Sequence, residues 1–512
     1  MKLIKRLNSS WWIIGVLVAA LIVVWPLLQR GFIVSDDGNW MVIRLSAFFQ
    51  SLREGQFPVR FLGRLNNSYG YPVANFLYPG FLYIGSFIHL IGFSFPDSVK
   101  VIFMGSVIAS ALLIFFWLKK YFSSFPSFLG SLGFLFSPYL VFDIYKRGSV
   151  GEVLAVFAGA AALFSIEREI FWLVPPSIGL LIISHNSLGF LFFLFLLSYI
   201  LVRKRVNFFV PVFIGLGLST FFWFPAIYER RFVLFDMVTV SQPQQYFIEG
   251  SMLYLLGLVN VLAFLIVLKD SHKEKKGVRN FFLVMFGISV LLSTSLSNPV
   301  WMAPFMEKLF QFPYRFLSLN LIAGPWLIAY MTQKIDKKYQ WHTMLLFLML
   351  FVVSTAPVLF YIKLIERPDG YYTTNEATTT VAKEYMPRWV KETARDRAHQ
   401  RMVFYQGRGK IEAKVMSTQK IDAIIYADEP SIIQVNSIYY PGWGIAVDDQ
   451  FVAPDYQNVY GLMRVPMPAG KHRFVAEFRE TVPRFLADMV SVVALIFYFG
   501  YVVWIIRVRK KH

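Results

Sequence analysis

Asp36 and Asp37 stand directly after the first long apolar run of the chain, and Arg44 follows seven positions after Asp37. Paired carboxylates at a membrane exit suit a general base for a hydroxyl group, or ligands for a divalent cation such as Mg2+ or Mn2+. The segment behind them, Asn39–Glu54, has apolar residues at 41, 45, 48, 49 and 52. That stripe predicts a helix lying in the membrane interface. Such a helix could present Asp37 and Arg44 on one face, and either aspartate could also cap its N-terminus.

Three further groupings carry chemistry. Arg147-Gly-Ser-Val-Gly-Glu152 opens an apolar run. Ser149 and Glu152 have capping-box spacing, while Arg147 could bind phosphate, with Glu152 or Asp143 assisting a metal or an acceptor. Ile170–Val202 is too long for one ordinary span and breaks best at Ser184-His185-Asn186-Ser187. An ionisable histidine at that depth is a functional candidate, and a hydrogen-bonded turn is the plainer account. Phe312-Pro-Tyr-Arg315-Phe begins another run, where the arginine either snorkels to the surface or meets a phosphate. No phosphate loop, HExxH sequence, Cys/His cluster or serine-hydrolase elbow is present.

The elements that must position these residues follow from composition. Of 512 residues, 56% are apolar and 16% charged, against about 45–50% and 25% in soluble domains. The apolar residues gather in runs long enough to cross a ~30 Å hydrocarbon core as helix. Aromatics reach 18%, with 53 Phe, which suits interfacial belts. The net charge of +19 comes from short basic clusters between apolar runs. Clusters so placed fix topology and argue against a nucleic-acid partner. With no Cys, disulfides and thiolate chemistry are excluded. The first apolar run is read as a retained span, being too long for a signal peptide.

Twelve spans are predicted: Trp11–Leu28, Val99–Leu118, Pro126–Phe142, Val150–Ile166, Ile170–Ile183, Leu188–Val202, Phe208–Tyr228, Ser251–Leu268, Phe281–Ser297, Phe316–Met331, Met344–Ile362 and Phe485–Ile506. Val73–Phe93 is the ambiguous stretch. If it does not span, Lys119–Lys120, Arg203–Arg205, Lys269–Arg279, Lys334–Lys338 and both basic ends, Met1–Arg6 and Arg507–Lys511, fall on the cytoplasmic side, as the positive-inside rule asks. It is therefore read as a juxtamembrane or re-entrant segment. The expected organisation is a transmembrane domain over 1–363 with a large first outer loop at 31–97, an extracytoplasmic β-rich domain over 364–484, and a last helix with a basic tail over 485–512. Within the soluble part, Ser431–Tyr440 alternates like a strand and Pro468-Ala-Gly-Lys471 reads as a hairpin turn, so a small β-sandwich is expected. Arg44, Arg60, Arg64, Arg147 and Arg315 fall on the outer side against the charge rule, which a bound phosphate would explain.

Several motifs carry a resemblance. Asp37 with Arg44, Arg53-Glu-Gly-Gln-Phe-Pro58, Tyr69-Gly-Tyr71-Pro72, Phe76-Leu-Tyr-Pro79, Arg147-Gly-Ser…Glu152, His185-Asn186, Phe312-Pro-Tyr-Arg-Phe316, Glu384-Tyr-Met-Pro387 and Tyr440-Pro-Gly-Trp443 occur in that order. The pattern resembles bacterial membrane proteins catalogued as 6-pyruvoyl-tetrahydropterin synthase-related, with a C-terminal β domain like that of YfhO-type proteins. That group is in turn similar to the GT-C superfamily of glycosyltransferases. One departure stands out: Met41 occupies the position, four after the aspartate, where many relatives have His.

The resemblance implies a polytopic helical, GT-C-like fold and transfer of a sugar from a polyprenyl-phosphate donor to a glycan, lipid or protein acceptor at the extracytoplasmic face of the cell membrane. It matches Asp37 to the first-loop acid and Glu152 to the acid after Arg-Gly. Together with the chemistry of the residues themselves, Asp37, Asp36 and Glu152 are the expected catalytic residues, and Arg44, Arg147, His185, Asn186, Arg315 and Tyr71 the expected substrate-binding ones. Two other classes stay open: a lipid flippase or transporter, and a non-catalytic envelope assembly or anchoring protein.

Overall fold

The computed structural model describes residues 2–238, 242–272 and 275–509, and side chains within 11–507 of these. The basic side chains of Met1–Arg6, Lys273 in the Lys269–Arg279 cluster, and the tail beyond Arg507 lie outside the described residues. So do three residues of the 229–250 loop.

Among the described residues seven helices are long and apolar enough to cross a membrane, and two bent helix pairs raise this to nine if each counts as one span. The first half of the chain builds α1 (Lys2–Val24), α2 (Gly38–Arg53), α3 (Gly80–Leu90), α4 (Phe95–Leu118), α5 (Ser124–Leu135), α6 (Pro138–Phe142), α7 (Val150–Arg168), α8 (Val174–Ser184), α9 (Asn186–Val202), α10 (Phe209–Leu218) and α11 (Thr220–Glu229). Lys276–Ser293, Lys337–Leu359 and Val482–Arg507 are long enough to cross, while some other predicted spans are shorter than expected. The Ile170–Val202 region folds as α8 and α9, broken at His185. The Phe316–Met331 run starts as a 3-10 turn at Pro313–Leu319, leaving a helix of 13 residues at Asn320–Thr332. That helix is buried among its neighbours, with Trp326 wholly enclosed. A helix surrounded by protein need not match the hydrocarbon thickness. The final helix, Val482–Arg509, is the opposite case, with Phe485, Ile496, Phe497 and Phe499 all exposed. An apolar surface of this kind calls for lipid.

The ambiguous 73–93 stretch holds α3, which has 11 residues. At about 1.5 Å per residue it reaches roughly 16 Å, half of what a span requires. Phe87, Leu90 and Ile91 at its end are exposed, as suits a helix dipping into lipid from one side.

Charge sorts the two ends of the bundle. At one end Arg203 lies over the Tyr121 ring at 5.6 Å, Lys275 over the Phe122 ring at 4.9 Å, and Lys334 pairs with Asp270 at 3.8 Å, so the internal basic clusters, that at Lys119–Lys120 lying next to Tyr121, gather there. The other end carries the first loop, the turn after α6, the α8–α9 break and the C-terminal β region. Arg60 of the first loop ties this end together. It donates to Glu480 (3.1 Å), Asp488 (2.8 Å) and Phe221 O (2.6 Å). Nearby, Arg484 makes a two-pronged bond to Glu229 at 2.7 and 2.8 Å, and Tyr440 and Asn75 donate to the same carboxylate. Both members of that pair are fully buried. Such a pair costs several kcal/mol to break by removing one partner.

The β region begins with β2 (Leu364–Ile365), which pairs antiparallel with β1 (Phe32–Ile33) of the first loop. Eight further strands follow: β3 (Met402–Gln406), β4 (Gly409–Met416), β5 (Lys420–Ala427), β6 (Ser431–Ile438), β7 (Trp443–Val447), β8 (Gln450–Phe451), β9 (Leu462–Met467) and β10 (Gly470–Phe478). They form a five-stranded sheet, β4-β5-β10-β7-β8, and a three-stranded one, β3-β6-β9. The expected hairpin at Pro468–Lys471 is corrected, because β9 and β10 belong to different sheets. Both strands carry inward apolar residues, Val465 and Met467 on one, Phe474 and Ala476 on the other. A turn that crosses between layers lets these two faces meet across the core.

Candidate functional site

Asp37 ends the extended segment after α1 and stands at the N-cap of α2, but its side chain makes no cap bond. Its carboxylate turns instead to Arg147, whose Nη2 donates to Oδ2 at 3.0 Å. The backbone sets this up. Asp36 and Asp37 donate their amides to the carbonyls of Lys146 (2.9 Å) and Arg147 (2.8 Å). Gly148 turns the chain at φ +67, where a Cβ would sit 2.3 Å from Ser35 Oγ and 2.8 Å from Gly38 N. Only glycine permits so close an approach at that angle. Asp36 pairs with Lys146 at 2.6 Å, both side chains being largely exposed, a contact of small energetic weight.

Behind Asp37 the charges continue inward. Arg147 Nη2 is 3.8 Å from Glu152 Oε1, and Arg315 Nε donates to the same oxygen at 2.9 Å. His185 Nε2 lies 3.6 Å from it. Tyr139 donates to Oε2 at 3.2 Å, and Arg147 Nη1 donates to the Tyr314 hydroxyl. The guanidinium groups of Arg147 and Arg315 each lie 4.8 Å from the centre of the Phe312 ring. Glu152 is wholly buried, whereas the Asp37 side chain is 30% exposed. The row Asp37–Arg147–Glu152–Arg315 therefore runs from solvent into the protein with alternating sign, and Asp37 is its open end.

Local sequence explains each placement. Ser149 makes no side-chain cap bond, so the expected capping box does not form, and Glu152 is free to point at Arg315. At Gly151 a Cβ would lie 2.6 Å from Ser184 O, so glycine lets the first turn of α7 press against the α8–α9 break. At that break His185 Nδ1 accepts from the amide of Leu188 at 3.3 Å. That bond leaves the proton on Nε2, facing Glu152. Arg315 also donates through Nη1 to Phe310 O and Gln311, both at 2.8 Å.

The other expected site residues lie elsewhere. Arg44 is buried and does not meet Asp37. It donates to Thr379 O at 2.6 Å and Thr379 Oγ1 at 3.3 Å. Tyr71 is hydrogen-bonded to Thr380 at 3.0 Å and accepts from the amide of Tyr385 at 3.0 Å. Both therefore fasten a strap, residues 369–386, that lies across the first loop. Beneath the strap, burial pushes the Glu384 carboxyl above its ordinary value and lowers the Arg44 guanidinium. Helix α2 is correspondingly enclosed along most of its length and does not present the polar face expected of an interfacial helix.

Asn186 donates to Phe76 O at 3.0 Å and lines an apolar groove of about 380 Å³. Phe190, Phe193, Trp223 and Ile227 form its walls, and Arg230, Lys308 and Tyr385 also line it. Lys308 donates to Val238 O at 2.6 Å and Phe235 O at 3.3 Å. Because Asn186 follows His185 directly, the groove adjoins the charged row. Lys308 and the walls were not legible as a site in sequence, since one lysine and scattered aromatics on separate helices have no spacing pattern. Phe312 and Tyr314 were visible within their motif, though not as partners of Arg147.

A metal does not fit these residues well. Among the described residues no group of three or more His, Asp or Glu side chains could hold one. Asp37 and Glu152 already have arginine partners.

No protein-family model and no curated protein matches the chain. Among solved structures it is similar to ArnT from Cupriavidus metallidurans bound to undecaprenyl phosphate, with 14% identity, a TM-score of 0.45, and 71% of this chain and 68% of that one covered. It is similar to the arabinofuranosyltransferase AftD from Mycobacteria, at 13% identity and TM-score 0.47, over 68% of this chain and 26% of that one. It is also similar to the oligosaccharyltransferase of Archaeoglobus fulgidus in the apo form, at 13% identity and TM-score 0.43, over 72% and 57%. The chain thus spans about a quarter of the second and little over half of the third. At these identities and scores no residue role passes from them to this chain.

Proposed function

We propose that this chain is a membrane glycosyltransferase that moves a sugar from a polyprenyl-phosphate donor to an acceptor hydroxyl at the extracytoplasmic face. The observation that carries the reading is the row Asp37–Arg147–Glu152–Arg315, open to solvent at Asp37 and adjoining an apolar groove beside His185–Asn186. A reaction between a polar acceptor and a donor with a long hydrocarbon tail needs such a pair of neighbouring environments. The motif resemblance points to the same class, and the gathering of the internal basic clusters at the far end of the bundle supports the sidedness.

In this reading Asp37 takes the proton of the acceptor hydroxyl as its oxygen attacks the anomeric carbon. The bond from that carbon to the phosphate oxygen breaks, and the electron pair leaves with the polyprenyl phosphate. Configuration at the carbon inverts. Arg147 holds Asp37 in place, and its own position is fixed by Glu152 and Tyr314. The groove walls take the polyprenyl chain. Lys308 reaches the phosphate as its charge develops, with Arg230, itself paired to Asp236, beside it, which is where a fixed cation lowers the barrier. The sequence expectation for this role is Arg147 or Arg315; here Arg147 is committed to Asp37 and Tyr314, and Arg315 is held against the buried Glu152.

The test is consumption of a panel of radiolabelled polyprenyl-phosphate pentoses and hexoses by membranes containing the chain, read as released polyprenyl phosphate. One donor should be consumed, and Asp37→Asn should reduce the rate about 100-fold or more. Unchanged transfer by both Asp37→Asn and Glu152→Gln would overturn the reading.

A further inference from the structure

A second, unrelated concavity lies beside the C-terminal half of α2. Two hollows of about 410 and 640 Å³ share Gln50, Glu54, Arg64 and Thr373 and so form one trough. Gln50 is about 20 Å along the helix from Asp37, so the trough is distinct from the charged row. One end is formed by Arg397 and Arg401, ahead of β3. The other holds Arg53 and the ring of His89, stacked on Phe95 at 3.8 Å.

The charges here do not balance. Four guanidinium groups, Arg53, Arg64, Arg397 and Arg401, line the trough with two carboxylates, Glu54 and Glu376. Both carboxylates have other work. Glu54 accepts from the amide of Thr418 at 2.7 Å and from its hydroxyl. Glu376 accepts from Ser68 at 2.8 Å and pairs with Arg397 at 2.9 Å. Arg64 and Arg401 have no ion-pair partner among the described residues. Arg64 donates to Thr373 O at 2.6 Å and Tyr372 O at 3.2 Å, while its Nε is buried without a partner. Arg401 donates to Ser68 O at 3.0 Å and Gly63 O at 3.3 Å. Burial lowers both guanidinium groups, Arg64 to about 10, outweighing the opposing field of Glu376 on each and of Glu54 on Arg401. Carbonyls orient a guanidinium but do not neutralise it, and neutral side chains could have made the same links to the backbone. Two charges held half-buried beside an open trough are a recognition device for an anion.

We propose that this trough binds an acidic saccharide, one carrying a phosphate or carboxylate, with the anion at Arg64 and Arg401, Arg397 beside them at the same end, and a sugar face near the His89–Phe95 stack. The same chemistry could come from a free glycan or from the headgroup of an anionic lipid, since the aromatic end lies where α3 meets α4 near the exposed Phe87 and Leu90. The proposal does not depend on sugar transfer by Asp37.

The experiment is titration calorimetry of the full purified chain with oligogalacturonate and with a neutral malto-oligosaccharide of equal length. Oligogalacturonate should bind and weaken as salt rises, the neutral sugar should not, and Arg401→Gln and Arg397→Gln should each weaken binding about ten-fold. Arg397 is 68% exposed, so its variant should fold and keeps the test sound if Arg401→Gln does not. Equal binding of the neutral sugar, or unchanged affinity in the folded arginine variants, would overturn the proposal. Competition by nanodiscs containing phosphatidylglycerol, compared with phosphatidylcholine alone, assigns the anion to a lipid headgroup. Its absence assigns it to a glycan.

Discussion

Glu152 and Arg315 are 163 residues apart in the chain, yet Arg315 Nε donates to Glu152 Oε1 at 2.9 Å inside the bundle. Their pairing joins the start of α7 to the turn before Asn320–Thr332, and so fixes the floor on which Arg147 and Asp37 stand. Removing one partner leaves the other charge buried. Glu152→Gln or Arg315→Met alone should therefore cost about 3–5 kcal/mol of stability. The double variant should recover part of that loss. Thermal unfolding in detergent, run as a double-mutant cycle, measures the coupling.

Gly148→Ala isolates geometry from charge. The new methyl group would meet Ser35 and the backbone of Gly38 at a left-handed φ. The two backbone segments that join Asp36–Asp37 to Lys146–Arg147 must then separate. We expect stability to fall by about 1–2 kcal/mol, and transfer to fall as far as in Asp37→Asn, although every charged residue is retained. Comparing the two variants in the donor-consumption assay checks this.

The Arg484–Glu229 pair predicts a purely structural effect. Arg484→Met leaves the Glu229 carboxylate buried with only Tyr440 and Asn75 to donate to it. Loss of about 3 kcal/mol or more is expected, seen as a lower melting temperature. Protein that remains folded should keep its affinity for the donor.

Glu384 gives the pH dependence. Burial raises its carboxyl above the ordinary 4.5 in the folded state. Its contribution to stability is thus fully present below pH 4.5 and is lost as pH rises through the higher, folded value. Glu384→Gln should match the parent at pH 4 and melt at a higher temperature from neutral pH upward. Melting curves across that range, compared pairwise, decide it.

Much of this arrangement was legible in the residues themselves. Charged residues beside Gly, such as Arg147 and Glu152, stood out because apolar runs make any charge conspicuous, and the break at His185 followed from length alone. Partner choice was not legible. Asp37 and Arg44 share a helix, yet Arg44 turns away to Thr379, because the strap from the far end of the chain offers it a carbonyl. The Pro468–Lys471 turn misled for a related reason: local sequence specifies a reversal, while packing decides whether the two strands share a sheet. The short helix at Asn320–Thr332 also escaped notice, since hydropathy cannot distinguish a protein neighbour from lipid.

The fastening of Arg60 to Glu480 and Asp488 bears on how the molecule is made. Arg60 emerges from the ribosome hundreds of residues before its partners, and the first loop must wait for them with an unmatched guanidinium. The strap and β2 likewise reach Asp37's neighbourhood only late in synthesis. The outer end is therefore completed only when the last helix arrives, and a nascent or prematurely terminated chain would leave Arg60 without its two carboxylates. Such a chain should be a preferred substrate for membrane quality-control proteases.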